Sequence, residues 1–388
     1  MNFTTRSKFI GIEFFFWAAF ASDTYLVVFL QGITNNNNSM VGRILAISFM
    51  IGFFAPILSG VISDLIRSVK KVFICGLLIA GVLFFSLTIF ESIIIIAIII
   101  ILIKLFQTPL IPLLDTWLIE EISSEPELDY GRIRLGGSIG YGLMVFLYGI
   151  VIYYTNIDII FITYSFLAVI TILFSLMVKT GYVPSNSFNI KDLNIASLMK
   201  NFDYVFFLVL STIILIPNMS SFIFIPNLMK SLGGSTTQLG IVYSLKAISE
   251  IPIFFSSKYL LEKFNYIHII LFSFILFALQ QFFLLISTEA IHVILVQMVT
   301  GMSYSLFLVG MVHYIYNIAS HKLKATAQTL AVSFTGLSRV VGSYGGGWFI
   351  DNFGLSQMYN AGVIISVVIC ILFAIFVYKD IVKQRKFN

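Results

Sequence analysis

Apolar residues in this chain come in long unbroken runs, not in the alternation of half-buried strands or the narrow stripes of soluble helices. The runs begin near Phe9, Met40, Val72, Ser92, Leu135, Ile157, Tyr204, Leu239, Ile267, Ala290, Ala325 and Gln357. A helix needs about 20 residues to cross the hydrocarbon of a bilayer, so the spacing predicts twelve membrane-crossing helices and an all-α membrane protein. The runs group as six and six around a polar segment, Lys179 to Asp203, which contains Gly, Pro, Ser and Asn and a short amphipathic piece, Leu193 to Phe202. The expected organisation is an N-terminal bundle over 1–178, a cytoplasmic linker over 179–203 and a C-terminal bundle over 204–388. Two bundles joined by a linker suit alternating access to a central site.

Polar residues inside the runs are costly and therefore informative. At helical spacing Lys104, Thr108, Ile111 and Asp115 form one stripe, and Arg134, Gly137, Ser138 and Tyr141 form another. A cation, an anion, a hydrogen-bonding face and an aromatic ring on adjacent helices suit a polar solute held at mid-membrane. Asp23, Lys246 and Glu250 also lie within runs, with Lys246 one turn before Glu250. Glu13 lies nearer the inner interface and is expected to be structural.

Composition supports the membrane reading. The 388 residues are 59% hydrophobic and 11% charged, with a mean hydropathy of +1.00, against about 45–50% apolar and 25% charged for a soluble domain. The first run is too long and Phe-rich for a cleaved signal peptide, and no Ala-x-Ala-like site follows it. The net charge of +5 reports topology more than a nucleic-acid partner. With the N-terminus inside, the inner segments carry basic residues such as Arg6, Lys8, Arg67, Lys70 and Lys71, whereas the outer segments hold Arg43 and Lys230 alone. That sorting predicts a multi-pass cell-membrane protein with both termini cytoplasmic. Cys75 and Cys370 lie in different runs, which argues against a disulfide framework or a Cys-based metal site.

The polar connections carry their own signals. The Asn run between Thr34 and Ser39 reads as a turn with Ser39 as N-cap. Gly52, Gly60, Gly342, Gly345, Gly346 and Gly347 are candidates for close helix approach. Asp64, four residues after Gly60 and just before Arg67, Lys70 and Lys71, sits where an acid can cap helix ends and bridge charges that break on movement. Asp64 and Arg67 are thus gating candidates.

The run count, the central linker and Gly60-x-x-x-Asp64 followed by Arg67, Lys70 and Lys71 resemble the major facilitator superfamily. Pro112-Leu113-Leu114-Asp115, followed by Asp129-Tyr130-Gly131-Arg132-Ile133-Arg134-Leu135-Gly136-Gly137-Ser138-Ile139-Gly140-Tyr141, is similar to its lactose-permease-like branch of oligosaccharide, phenylpropionate and nucleoside proton symporters. Glu250-Ile251-Pro252-Ile253-Phe254-Phe255 and Ala325-Thr326-Ala327-Gln328 agree. The resemblance implies twelve helices in two pseudo-symmetric six-helix bundles. It implies Asp115 as the acid that accepts from sugar hydroxyls, Arg134 as its partner and Tyr141 as the stacking ring. Lys104 has no family counterpart and joins the substrate-binding set on its own position, to neutralise Asp115 or to distinguish the substrate.

Aligned on Leu308-Val309-Gly310, the family's proton-coupling His and Glu fall at Thr300 and Ser303, and its ninth-span Arg falls near Gln280. None of these titrates near neutral pH. The expected coupling candidates are therefore Asp23, Glu250 and Lys246, with permanent ion pairing as the competing role. Arg339 either pairs across the C-terminal bundle or faces the cavity. No His, Cys or acid spacing suggests a metal, no phosphate-cradling loop suggests an ATP-driven pump, and no hydrolase motif is present. The chain is expected to be no enzyme, to need no cofactor, to bind no nucleic acid and to act as a monomer. The function expected is proton symport of a small polar organic solute, sugar-like or nucleoside-like. Efflux of drugs or metabolites, favoured by the wealth of Phe, is the alternative, and a non-transporting receptor on the same frame is a third reading.

Overall fold

The computed structural model describes residues 5–124, 130–178, 198–319 and 324–387, and every regular element among them is helical. In order these are α1 (Thr5–Phe20), a 3-10 turn (Ala21–Tyr25), α2 (Leu26–Ile33), α3 (Asn38–Ile66), α4 (Val69–Ser86), α5 (Ile93–Gln107), α6 (Leu110–Ser124), α7 (Tyr130–Tyr154) and α8 (Ile159–Met177). They are followed by α9 (Phe202–Ser231), α10 (Thr236–Phe255), α11 (Ser257–Lys263), α12 (Tyr266–Leu285), α13 (Ala290–Ile318), α14 (Lys324–Phe353) and α15 (Leu355–Phe387). Long apolar sequences become helices because a bilayer offers no partners to the backbone, and a helix satisfies its N–H and C=O groups internally.

Ten stretches of the described residues are long and apolar enough to cross a membrane, and α10 with α11, bent by 54°, makes an eleventh. The twelfth expected run is α14, a 30-residue helix that carries Arg339 and the glycine cluster. On α3, Phe54, Leu58, Val61, Ile62 and Leu65 are exposed while Ala55 and Ser63 are buried. Such an exposed apolar face would be a liability in water and is the natural contact for lipid.

Packing divides the chain into two units, Met1–Asn36 with Ile44–Phe188, and Asn37–Arg43 with Asn189–Asn388. In the first, α1 lies along α7 and α8, and α4 packs on α5, α6 and α8. Aromatic side chains fill the interior: Phe9 meets Trp117 edge-on at 5.0 Å and Phe84 stacks on Tyr164 at 3.7 Å. In the second, α9 packs on α14, α10 on α13, and α12 on both α13 and α15, around a core that includes Phe207, Phe274, Phe307 and Phe373.

Local chemistry explains several boundaries. Ser68 caps α4 by accepting from the Lys71 N–H, and Ser235 and Gln238 form a reciprocal capping box at the start of α10. The turn before α3 places Asn35 and Asn36 at φ of 52° and 61°, a left-handed region that Asn tolerates. Asn37, not Ser39, is the side-chain cap there: its Oδ1 accepts from the Met40 N–H at 2.8 Å. The Ser39 N–H instead donates to the Asp351 carboxylate at 2.6 Å. Among the glycines singled out from the sequence, Gly342 and Gly346 lie against Ser220 of α9 and Gly52 against Thr108, whereas Gly60 and Gly345 face open space. Pro217 and Pro226 lie inside α9, where Phe224 leaves helical geometry and kinks the span.

Candidate functional site

The first span is broken at mid-length. Residues 21–25 tighten into a 3-10 turn, a geometry that within a helix often marks a hinge. Three polar side chains of the turn reach towards α7. The Ser22 and Tyr148 hydroxyls share a hydrogen bond at 2.9 Å, as do those of Thr24 and Tyr141 at 2.9 Å, and the Tyr25 hydroxyl donates to the Val145 carbonyl at 2.9 Å. Ser22 also donates to the Ile160 carbonyl of α8 at 3.0 Å. The break is therefore held in place by specific bonds.

Asp23 stands on this turn, and its Oδ2 is bound by the Lys104 ammonium of α5. Lys104 donates a second bond, to Gln107 Oε1 at 3.1 Å. The Lys104 side chain is 5% exposed and that of Asp23 21%. An ion pair at that depth stands only with further hydrogen bonds around it, and Gln107 supplies one. Lys104 thus neutralises Asp23, where the sequence left it between neutralising Asp115 and distinguishing the substrate.

A second charged cluster lies between α1 and α7. Arg134 approaches Glu13 Oε2 with Nη1 at 3.6 Å, and its guanidinium lies over the Trp17 ring at 4.2 Å from the centroid. Glu13 and Trp17 are one turn apart on α1, as Arg134, Gly137 and Tyr141 are on α7. Asp115 of α6, half-buried, acts on Glu13 electrostatically. Gly137 makes the approach possible: a Cβ there would sit 2.5 Å from Trp17 Cδ1, 2.7 Å from Arg134 Nη1 and 2.8 Å from Glu13 Oε2. Glu13, expected to be structural, is fully buried beside Arg134, and Trp17 is the ring that Arg134 meets. The available signal was the one-turn spacing of Glu13 and Trp17, which a run dominated by Phe concealed.

The second unit holds its own pair. Lys246 Nζ donates to Glu250 Oε1 at 2.8 Å along α10, and lies over the rings of Phe222 at 5.3 Å and Tyr304 at 5.2 Å. Thr300 and Ser303 are buried on α13 and direct their hydroxyls to carbonyls of their own helix. Gln280 is buried with Oε1 lacking a hydrogen-bond partner, and Arg339 is exposed on α14. Of the gating candidates, Arg67 ends α3 exposed at a φ of 54°; the Asp64 side chain lies outside the described residues. Among the described residues no group of three His, Cys, Asp or Glu is arranged to hold a metal.

Comparison with known proteins agrees with this architecture. The chain is 24% identical over 378 residues to an uncharacterized transporter, YwbF, of Bacillus subtilis (strain 168), covering 94% of this chain and 92% of that one. It is 21% identical over 374 residues to a maltose permease of Geobacillus stearothermophilus, covering 96% and 93%. Crystal structures of the nucleoside transporter NupG, as a point mutant and unmutated, superpose with TM-scores of 0.86 and 0.84 at 16% and 17% identity, each covering 96% of this chain, and 99% and 98% of their own chains. That likeness shows the fold. Residues 8–361 match the MFS_1 like family, and the chain is thus a transporter of that family within the major facilitator superfamily.

Proposed function

We propose that this transporter carries a small polar organic solute, sugar-like or nucleoside-like, by proton symport through alternating access, with its two six-helix bundles joined by the 179–203 linker and both termini cytoplasmic. The observation that carries the solute class is the first unit's cluster of Arg134, Trp17, Glu13 and Asp115, with Tyr141 two turns further along α7 and bonded to Thr24. A guanidinium presents a planar fork of donors, a carboxylate accepts from hydroxyls, and aromatic rings offer an apolar face to a sugar or a base. The names of two similar proteins, a maltose permease and a nucleoside transporter, point to the same two classes.

Asp115, Arg134 and Tyr141 are assigned to solute binding in this reading, with Lys104 fixing the 3-10 turn through Asp23. Proton coupling is assigned to Asp23 and to Glu250 with Lys246. Asp64 and Arg67 are assigned to gating. The partners are the solute, the proton and the lipid bilayer, and the working unit is a monomer.

Reconstituted vesicles test the solute assignment. Radiolabelled maltose and uridine are offered to wild type, Asp115→Asn and Arg134→Ala. Uptake by wild type of either probe, with loss in both variants, supports it. Unchanged uptake in both variants refutes the site. Flux directed out of the cytoplasmic side in inverted vesicles would favour the exporter reading instead.

A further inference from the structure

Glu13 is a carboxylate in an unusual setting. It is fully buried, and neither carboxylate oxygen closes a hydrogen bond of ordinary geometry, the Trp17 side chain acting on it as a weak donor. The Arg134 contact at 3.6 Å is longer than a charge-assisted hydrogen bond, which closes at about 2.7–2.9 Å. Burying an ionised carboxylate that lacks good hydrogen bonds is unfavourable even after relaxation. By contrast, Asp23 and Glu250 are each directly hydrogen-bonded to a lysine. Of these three acids, Glu13 depends most on a partner that is able to leave.

Among the described residues the charges acting on it are few. On α7 the facing charge is Arg134, and from α6 Asp115 acts on Glu13 through space. The other helix packed along α1 is α8, whose only titratable side chain is Tyr164, itself stacked on Phe84. On α4, which meets α1 through Phe16 and Phe73, Lys70 donates to the Val178 carbonyl at 2.5 Å. Arg134 therefore controls the electrostatic state of Glu13, held against it by stacking on Trp17 and by the space at Gly137.

We propose that Glu13 is a proton-binding site of the first unit, emptied when the Arg134 guanidinium lies against it and filled when a solute draws Arg134 away. The step balances simply. Arg134 keeps its proton throughout and turns its donors to solute oxygens, and the carboxylate left behind takes one proton from the aqueous side that the site then faces. Release of the solute returns Arg134 and expels the proton. The solute half of this cycle rests on the Arg134 assignment made above; the proton site does not.

Two measurements separate them. Infrared spectra of the full chain in lipid, recorded from about pH 5 to about pH 9, are compared for wild type, Glu13→Gln, Glu13→Asp and Arg134→Gln. A protonated-carboxyl band that titrates in wild type, is retained at a shifted frequency in Glu13→Asp, is lost in Glu13→Gln and changes midpoint in Arg134→Gln supports the proposal. Spectra of wild type and Glu13→Gln that titrate identically overturn it, and Glu13→Asp guards against a folding defect. In vesicles, maltose and uridine are added and external alkalinisation is recorded. Wild type that carries either probe with alkalinisation, and Glu13→Gln that loses the alkalinisation, place the proton in the cycle. Alkalinisation by Glu13→Gln equal to wild type overturns Glu13 as a member of the proton path that includes Asp23 and Glu250. Solute flux without alkalinisation in wild type refutes proton symport, and the infrared result then decides the proton site alone.

Discussion

Lys104 and Asp23 are bound to one another across 81 positions of sequence, and this bond ties α5 to the 3-10 break in the first span. Helical spacing alone puts Lys104 on one stripe with Asp115. The fold gives it to Asp23, because the break turns the aspartate towards α5.

Removing one partner should therefore cost more than removing both. Lys104→Met leaves the half-buried Asp23 carboxylate without its cation and is expected to destabilise by at most about 3–5 kcal/mol, whereas Lys104→Met with Asp23→Asn should recover most of that loss. Thermal unfolding of the three variants in one detergent measures the difference, and equal losses in single and double variants would dismiss the pairing.

The seam between α1 and α7 makes a graded prediction. Gly137→Ala forces Trp17, Arg134 and Glu13 apart, and Gly140→Ala drives a methyl into the Phe14 carbonyl. Each should destabilise by about 1–3 kcal/mol. At Gly142 an added methyl would meet nothing within 4 Å, which makes it the control: Gly142→Ala should be neutral or should stabilise by up to about 1 kcal/mol. A stability ranking that puts all three together would contradict the seam.

Glu250 and Lys246 separate coupling from structure. If the pair carries protons, Glu250→Gln abolishes accumulation against a gradient while exchange of labelled for unlabelled solute continues. Accumulation at the wild-type level would leave the pair a structural one, with Lys246 held by Phe222 and Tyr304 at about 0.5–2 kcal/mol for each ring.

Asp351 holds the first turn of α3. Its carboxylate accepts from the Asn38 N–H at 3.3 Å, the Asn38 Nδ2 at 2.9 Å and the Ser39 N–H at 2.6 Å. Asp351→Ala should cost about 0.5–2 kcal/mol, the range for a lost helix cap. Hydrogen exchange at the amides of residues 38 and 39 is the direct readout, and unchanged protection there would refute the contact.

Arg67 ends α3 in the left-handed region, where a side chain is strained and Gly is not. Arg67→Gly should raise the unfolding temperature or leave it unchanged. Loss of transport in a variant of equal or higher stability would assign Arg67 to gating, and wild-type transport would leave it a loop residue.

The helical architecture was legible because apolar runs of spanning length report directly on the bilayer. The Arg134, Gly137 and Tyr141 stripe was legible for a related reason, since helical spacing places side chains on one face whatever the helix packs against. Tyr141 nevertheless bonds to Thr24, and Ser39 yields its capping role to Asn37, because both depend on turns at 21–25 and 35–37 whose geometry no periodicity encodes. Glu13 is placed by depth alone in the sequence, and depth does not reveal that α7 brings Arg134 to it.

From residues alone, the chain declared its solvent, its run count and the faces that carry charge, because hydrophobic transfer and helix periodicity are local properties. Which charges meet was settled by packing. Asp23 faces Lys104 because a span breaks, and Glu13 faces Arg134 because Gly137 leaves room. Pairings of this kind depend on how one helix is rotated and kinked against another, and contacts far apart in sequence set those angles.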